Sequence, residues 1–204
     1  MKDYGRFALT EVAAPSVEPV TVDEFVAHAR LDDASPIPDS AEIALYIKAA
    51  RRSIERVTAR RLITQIWRMT LDEWPDHDYI EIPLGPVVFV DSVIYIARDT
   101  GLGARFAASN FVVDVASDPA RIKLKEGITW PTTELQEAAG ILVNFHVGYG
   151  TASSVVPAEL LLAVRHLAEH YYDNRSATTA ASLSELPLGI RRLISPYILW
   201  EAIL

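Results

Sequence analysis

Residues 64–74 read TQIWRMTLDEW, and the fold turns on this stretch. Trp67, Met69 and Leu71 alternate with Arg68, Thr70 and Asp72, the two-residue period of a strand with one buried face. Immediately upstream the apolar residues recur instead at spacings of three and four. The chain therefore passes from helix to extended structure close to Leu62. More short extended segments follow: YIEIP, VDSVIYIA, NFVVDV, RIKLK and ILVNFHV. Ile122 and Leu124 alternate with Arg121, Lys123 and Lys125, and Ile141, Val143, Phe145 and Val147 alternate with Leu142, Asn144 and His146. The turns DTGLG and SDPA separate some of them, and a longer loop carries Trp130-Pro131. Strands this short with tight turns predict a compact antiparallel sheet or small barrel over 63–150.

Helical periods flank this region on both sides. Upstream, TVDE offers Thr21 as a cap with Glu24 reaching back to it, for a short helix ending near Arg30. After the turn-rich LDDASPIPDS, Asp39 or Ser40 caps a second helix. Its stripe of Ile43, Ile47, Ala50, Ile54 and Val57 predicts a helix to about Arg60, with basic residues on the remaining faces. Downstream of GYGTASSVVP, Pro157 suits a first helical turn, and Leu160, Val164, Leu167 and Tyr171 form one stripe. The polar loop NRSATTAASLS ends that helix, and a last helix or pair of turns spans ELPLGIRRLI before Pro196. The expected class is α+β: a helical bundle formed by both chain ends with an inserted antiparallel β domain. The expected divisions are an extended arm over 1–20, helical parts over 21–62 and 151–196, the β domain over 63–150, and an apolar tail, YILWEAIL, over 197–204.

Composition narrows the function. Of 204 residues half are hydrophobic and 23% charged, which argues against wholesale disorder. With no cysteine, the chain has no disulfide, thiolate nucleophile or cysteine-based zinc site, and fits a reducing compartment. Neither a signal peptide at the N-terminus nor an apolar run of membrane-spanning length is expected, which predicts a soluble chain. The net charge of −8 disfavours general affinity for nucleic acid. The region 63–150 carries 12 acids and 6 bases, against 15 and 13 elsewhere. Between Lys48 and Arg61 the sign reverses, with Lys48, Arg51, Arg52, Arg56, Arg60 and Arg61 against Glu55 alone.

Few groupings suggest chemistry. HLAEH, residues 166–170, matches the H-x-x-E-H pattern of inverted zincins. His166 and His170 share a helix face with Glu159, but the acids that follow, Asp173, Glu185 and Glu201, form no ligand motif. DEWPDHD supplies Asp72, Glu73, Asp76, His77 and Asp78 at a turn, in the spacing of no defined ion loop. GLG and GYG do not extend into nucleotide-binding motifs, and G-x-S-x-G is absent. No catalytic, cofactor-binding or metal-binding residues are expected. Two alternatives are a zinc-dependent hydrolase using the His166/His170 pair and a DNA-binding module using the basic helix 48–61.

The serial order of segments carries more. EPVTVDEFVAHARLD, YIKAARRSIERVTARRLITQIWRMTLDEWP and IEIPLGPVVFVDSVIYI, followed by FVVDV, ITWP, VNFHVGYG, VPAELLLAVRHLAEHYYDNRSA and LISPY, resemble the tailed-phage head–tail connector (adaptor) family, also found in prophages and gene transfer agents. The resemblance covers about residues 15–197. It implies a non-enzymatic subunit of a homo-oligomeric ring, twelve-fold in the family, between the portal protein and a tail-side connector or tail terminator. DNA would pass through the channel without specific binding. The expected location is the virion, after assembly in the bacterial cytoplasm, with no membrane partner. Two surfaces are candidates: Arg51, Arg52 and Arg56 for the subunit interface, and Tyr197, Ile198, Leu199, Trp200, Ile203 and Leu204 for portal binding, as apolar anchors.

Overall fold

The computed structural model describes residues 7–31, 39–174 and 186–199. It is a mixed α+β chain whose described residues fall into two compact units. One comprises Ser16–Ile63 and Tyr149–Ile198, and the other is drawn from Met1–Pro15, Thr64–Gly148 and Leu199–Leu204.

The helical unit contains α1 (Val22–Ala29), α2 (Ser40–Thr58), α3 (Ala158–Asp173) and α4 (Leu188–Ile194). The capping box at α1 forms as the sequence predicts: the Thr21 hydroxyl accepts from the Glu24 amide at 3.2 Å, and Glu24 accepts from the Thr21 amide at 2.9 Å. α2 starts after Asp39, whose side chain makes no cap, and stops where Ala59 turns left-handed at φ 54°. Ile43, Ile47, Ala50 and Ile54 from α2 meet Phe25 and Val26 of α1, Leu160, Val164 and Leu167 of α3, and Ile190 and Ile194 of α4 in one buried core. Helices from both ends of the described chain thus share one apolar interior, the arrangement in which their periodic stripes leave water together.

Among the described residues the β unit holds eight strands in two antiparallel sheets. β1 (Phe7–Ala13), β2 (Gln65–Leu71), β8 (Ile141–Val147), β4 (Val87–Ile96) and β5 (Gly103–Phe106) form the first in that order. β3 (Tyr79–Ile82), β7 (Ala120–Leu124) and β6 (Phe111–Asp114) form the second. The single sheet or barrel expected from sequence is therefore two sheets, because a two-residue period fixes which side chains face inward and not which strands become neighbours. Phe7–Ala13, read from the sequence only as part of an arm, pairs with β2 from Phe7↔Leu71 to Ala13↔Ile66 and edges the larger sheet. β2 and β8 are paired along their whole length, from Gln65↔Val147 to Leu71↔Ile141, so the chain enters and leaves the unit on adjacent strands. An aromatic cluster joins the sheets. Trp74 stacks on Trp130 with centroids 4.7 Å apart, and Phe106 at the end of β5 lies 5.9 Å from Phe111 at the start of β6. Phe106 also lies 5.7 Å from Trp130, and the Trp130 indole donates to the His77 carbonyl at 2.8 Å.

Candidate functional site

The basic run on α2 divides by burial. Arg51, a candidate for the subunit interface, is buried and held inside the helical unit. Its Nε donates to Glu18 at 2.6 Å and another guanidinium nitrogen to Glu55 at 2.7 Å, while Glu55 also accepts from the Leu62 amide at 2.9 Å. Burial works against the Arg51 charge, yet the Glu18 hydrogen bond and the Glu55 field outweigh it, so the guanidinium titrates above its ordinary value. A side chain clamped this way presents no cation to a neighbouring molecule, which corrects its assignment. Arg61 donates to the Glu55 carbonyl at 3.1 Å, and Arg60 donates to the Tyr197 carbonyl at 2.6 Å. Lys48, Arg52 and Arg56 remain exposed at four-residue spacing, one cationic stripe along the outside of α2. Leu45, 65% exposed, extends this face by one turn.

The apolar tail begins less freely than its sequence suggests. The Tyr197 hydroxyl donates to Glu159 at 2.8 Å, at the start of α3. The Glu159 backbone amide and this hydroxyl together hold its carboxyl below the usual range, and the same contact raises the Tyr197 phenol. Tyr197 and Ile198 are half-buried and Leu199 is buried. Trp200, Ile203 and Leu204 lie outside the described residues.

HLAEH does not use its two histidines together. His170 lies against Asn174, 3.3 Å from its amide nitrogen. His166 meets His28 of α1 instead, with ring centroids 5.1 Å apart, and both approach Glu169. DEWPDHD is spent on architecture: Asp72 accepts from the Ala139 amide at 2.8 Å, and Asp78 lies 3.6 Å from Lys123 on β7. No helix among the described residues is long and apolar enough to cross a membrane.

Most of the charged groups named here fasten the chain to itself. Solved particle structures contain chains similar to it over nearly their whole length. One, from the neck of an empty GTA particle computed with C6 symmetry, aligns at a TM-score of 0.78 with 28% identity, covering 94% of this chain and 95% of the other. Another, from the virion of a native gene transfer agent (GTA) particle, gives 0.77 and 28%, covering 93% and 94%. A third, from the neck of a native GTA particle computed with C12 symmetry, gives 0.75 and 27%, covering 94% of each. No family model and no curated protein matches the chain.

Proposed function

We propose that the chain is a head–tail connector (adaptor) of a tailed phage or phage-like particle: a non-enzymatic ring subunit joining the portal to the tail around a channel for DNA. The observation that carries this is the likeness to chains of gene transfer agent necks, nearly end to end on both sides at 28% identity. Six-fold and twelve-fold symmetry of those necks supports a closed ring, twelve copies being the number the resemblance implies. The neighbours are the portal protein on one side and a tail-side connector or tail terminator on the other. The chain works in the virion after assembly in the bacterial cytoplasm.

In a ring, the stripe of Lys48, Arg52 and Arg56 is the surface we assign to the next subunit. The Thr64–Gly148 stretch carries much of the negative excess, so a copy offers acids to a neighbour's stripe, and Arg–carboxylate pairs fix register better than they add affinity. The overall charge of −8 lets DNA slide past without specific contact. The portal is met by the C-terminal apolar stretch, with Trp200, Ile203 and Leu204 as anchors and Tyr197 to Leu199 as its fastened root.

Co-expression with a portal protein, followed by electron microscopy and sedimentation, tests this. Wild type should form rings on portals. Lys48→Glu, Arg52→Glu and Arg56→Glu together should weaken the ring, and truncation after Leu199 should release it from portals. Normal rings in the triple variant would move the subunit contact elsewhere. Salt-dependent DNA binding lost in that variant, with rings unchanged, would favour the DNA-binding module.

A further inference from the structure

Three side chains from two helices of the helical unit bring donor atoms together without making a hydrogen bond. His28, at the end of α1, places Nε2 3.5 Å from Oε2 of Glu169, and His166, one turn before Glu169 on α3, places Nδ1 3.7 Å from the same oxygen. All three donor atoms lie within 4.8 Å of one another. The His28 Nε2 is shut off from water and has no hydrogen-bond partner, a state that folded proteins rarely leave unanswered.

The spacing is that of ligands around an ion. Nitrogen and oxygen ligands about 2.0–2.1 Å from a tetrahedral centre stand about 3.3–3.4 Å apart, so the two measured separations are close to the edges of one coordination tetrahedron. Two imidazoles and a carboxylate form a donor set suited to borderline dications such as zinc. The nearby cation does not compete: Arg165 pairs with Glu24 at 3.6 Å, one turn earlier on both helices. His166 is 44% exposed, which gives an ion a way in from solvent.

We propose that His28 through Nε2, His166 through Nδ1 and Glu169 through Oε2 bind one zinc-type dication that fastens α1 to α3, with water in the fourth position. The site takes the first histidine and the glutamate of HLAEH and leaves His170 out. The expectation of no metal rested on the missing third ligand downstream; the third donor comes from α1, far upstream. The inference is independent of the neck reading, since a strut between two helices serves any role of the chain.

Full-length protein freed of metal by chelator would be titrated with Zn²⁺ by calorimetry and with Co²⁺ as a spectroscopic probe. Wild type should bind one ion per chain, show the visible bands of four-coordinate cobalt, and gain thermal stability with zinc. His28→Ala, His166→Ala and Glu169→Gln should each weaken binding by at least ~100-fold, more than loss of a supporting residue does, while His170→Ala should bind as wild type. His28→Gln keeps the bulk of the side chain, so binding is still read on a folded chain if alanine unfolds α1; the metal-free helical signal checks this. Absence of saturable binding in wild type overturns the proposal. So does binding that survives His28→Gln, or that is lost with His170→Ala, which would return the site to the i, i+4 histidine pair.

Discussion

Arg51→Met isolates the buried ion-pair network of the helical unit. The Arg51 side chain is 2% exposed, Glu55 5% and Glu18 30%. Methionine fills much of the arginine volume, so the loss is chiefly of charge and hydrogen bonds. Glu18 can turn to water, and its share of the effect is small. Glu55 cannot, and it loses its adjacent cation while still accepting from the Leu62 amide. Removing one partner of such a pair costs about 3–5 kcal/mol, against a total stability of about 5–15 kcal/mol for a domain. The companion change Glu55→Gln in the same background should recover much of this, because the buried charge is gone and the Leu62 amide keeps an acceptor. Urea unfolding separates the units: far-ultraviolet circular dichroism follows the helices, while Trp67, Trp74 and Trp130 report the sheets by fluorescence. A helical loss below about 1 kcal/mol, or a double variant no better than the single, would refute the network. Loss of rings at unchanged stability would show that ring formation depends on Arg51 by a route other than the stability of the helical unit.

Three further outcomes follow from the β unit. Asp114 is held below the ordinary carboxylate range by the Ser117 hydroxyl and by Arg121. Its contribution is therefore complete above the ordinary value near pH 4 and fades as pH falls, so Asp114→Asn should reduce acid sensitivity of the β6–β7 hairpin below about pH 4, read by amide exchange; an unchanged acid profile would count against the pairing. Trp130→Ala should cost the β unit about 2 kcal/mol, less than a fully buried tryptophan, through lost stacking and the His77 hydrogen bond; a loss under about 0.5 kcal/mol in urea would refute the seam. A Cβ at Gly140 would stand 2.9 Å from both the Asp72 carbonyl and the Leu135 Cβ, so Gly140→Ala should destabilise by about 1–3 kcal/mol, and a thermal midpoint equal to wild type would show that the backbone yields there.

What the sequence shows and hides divides by range. The Thr21–Glu24 box, the α2 stripe and the alternation in β2 and β8 are local patterns, and the structure places them as read. Arg51 was harder. It stands four residues after Ile47 and three before Ile54, a spacing that puts it on the apolar face, but its charge argued for solvent; Glu18, 33 residues away, is what makes burial tolerable. β5 is four residues long and contains Arg105, too short for any period to show. His28 has no local mark as a ligand, because its partners arrive only when α1 packs beside α3. Pairing across distance is decided by packing, which a single sequence does not spell out.

The pairing of Gln65 with Val147 also bears on the order of folding. To the helices, Thr64–Gly148 is an 85-residue loop that must close before α2 can meet α3. Closing a flexible loop costs roughly (3/2)RT ln n, so reducing 85 free residues to an effective two lowers that cost by roughly 3 kcal/mol. A sheet that forms first, with β2 against β8, hands the helices a connection as short as a hairpin turn. β1 lies at the edge of that sheet and can add last without delaying closure. Register slips between β2 and β8 would then slow helix assembly in the other unit, a kinetic dependence carried by chain connectivity alone.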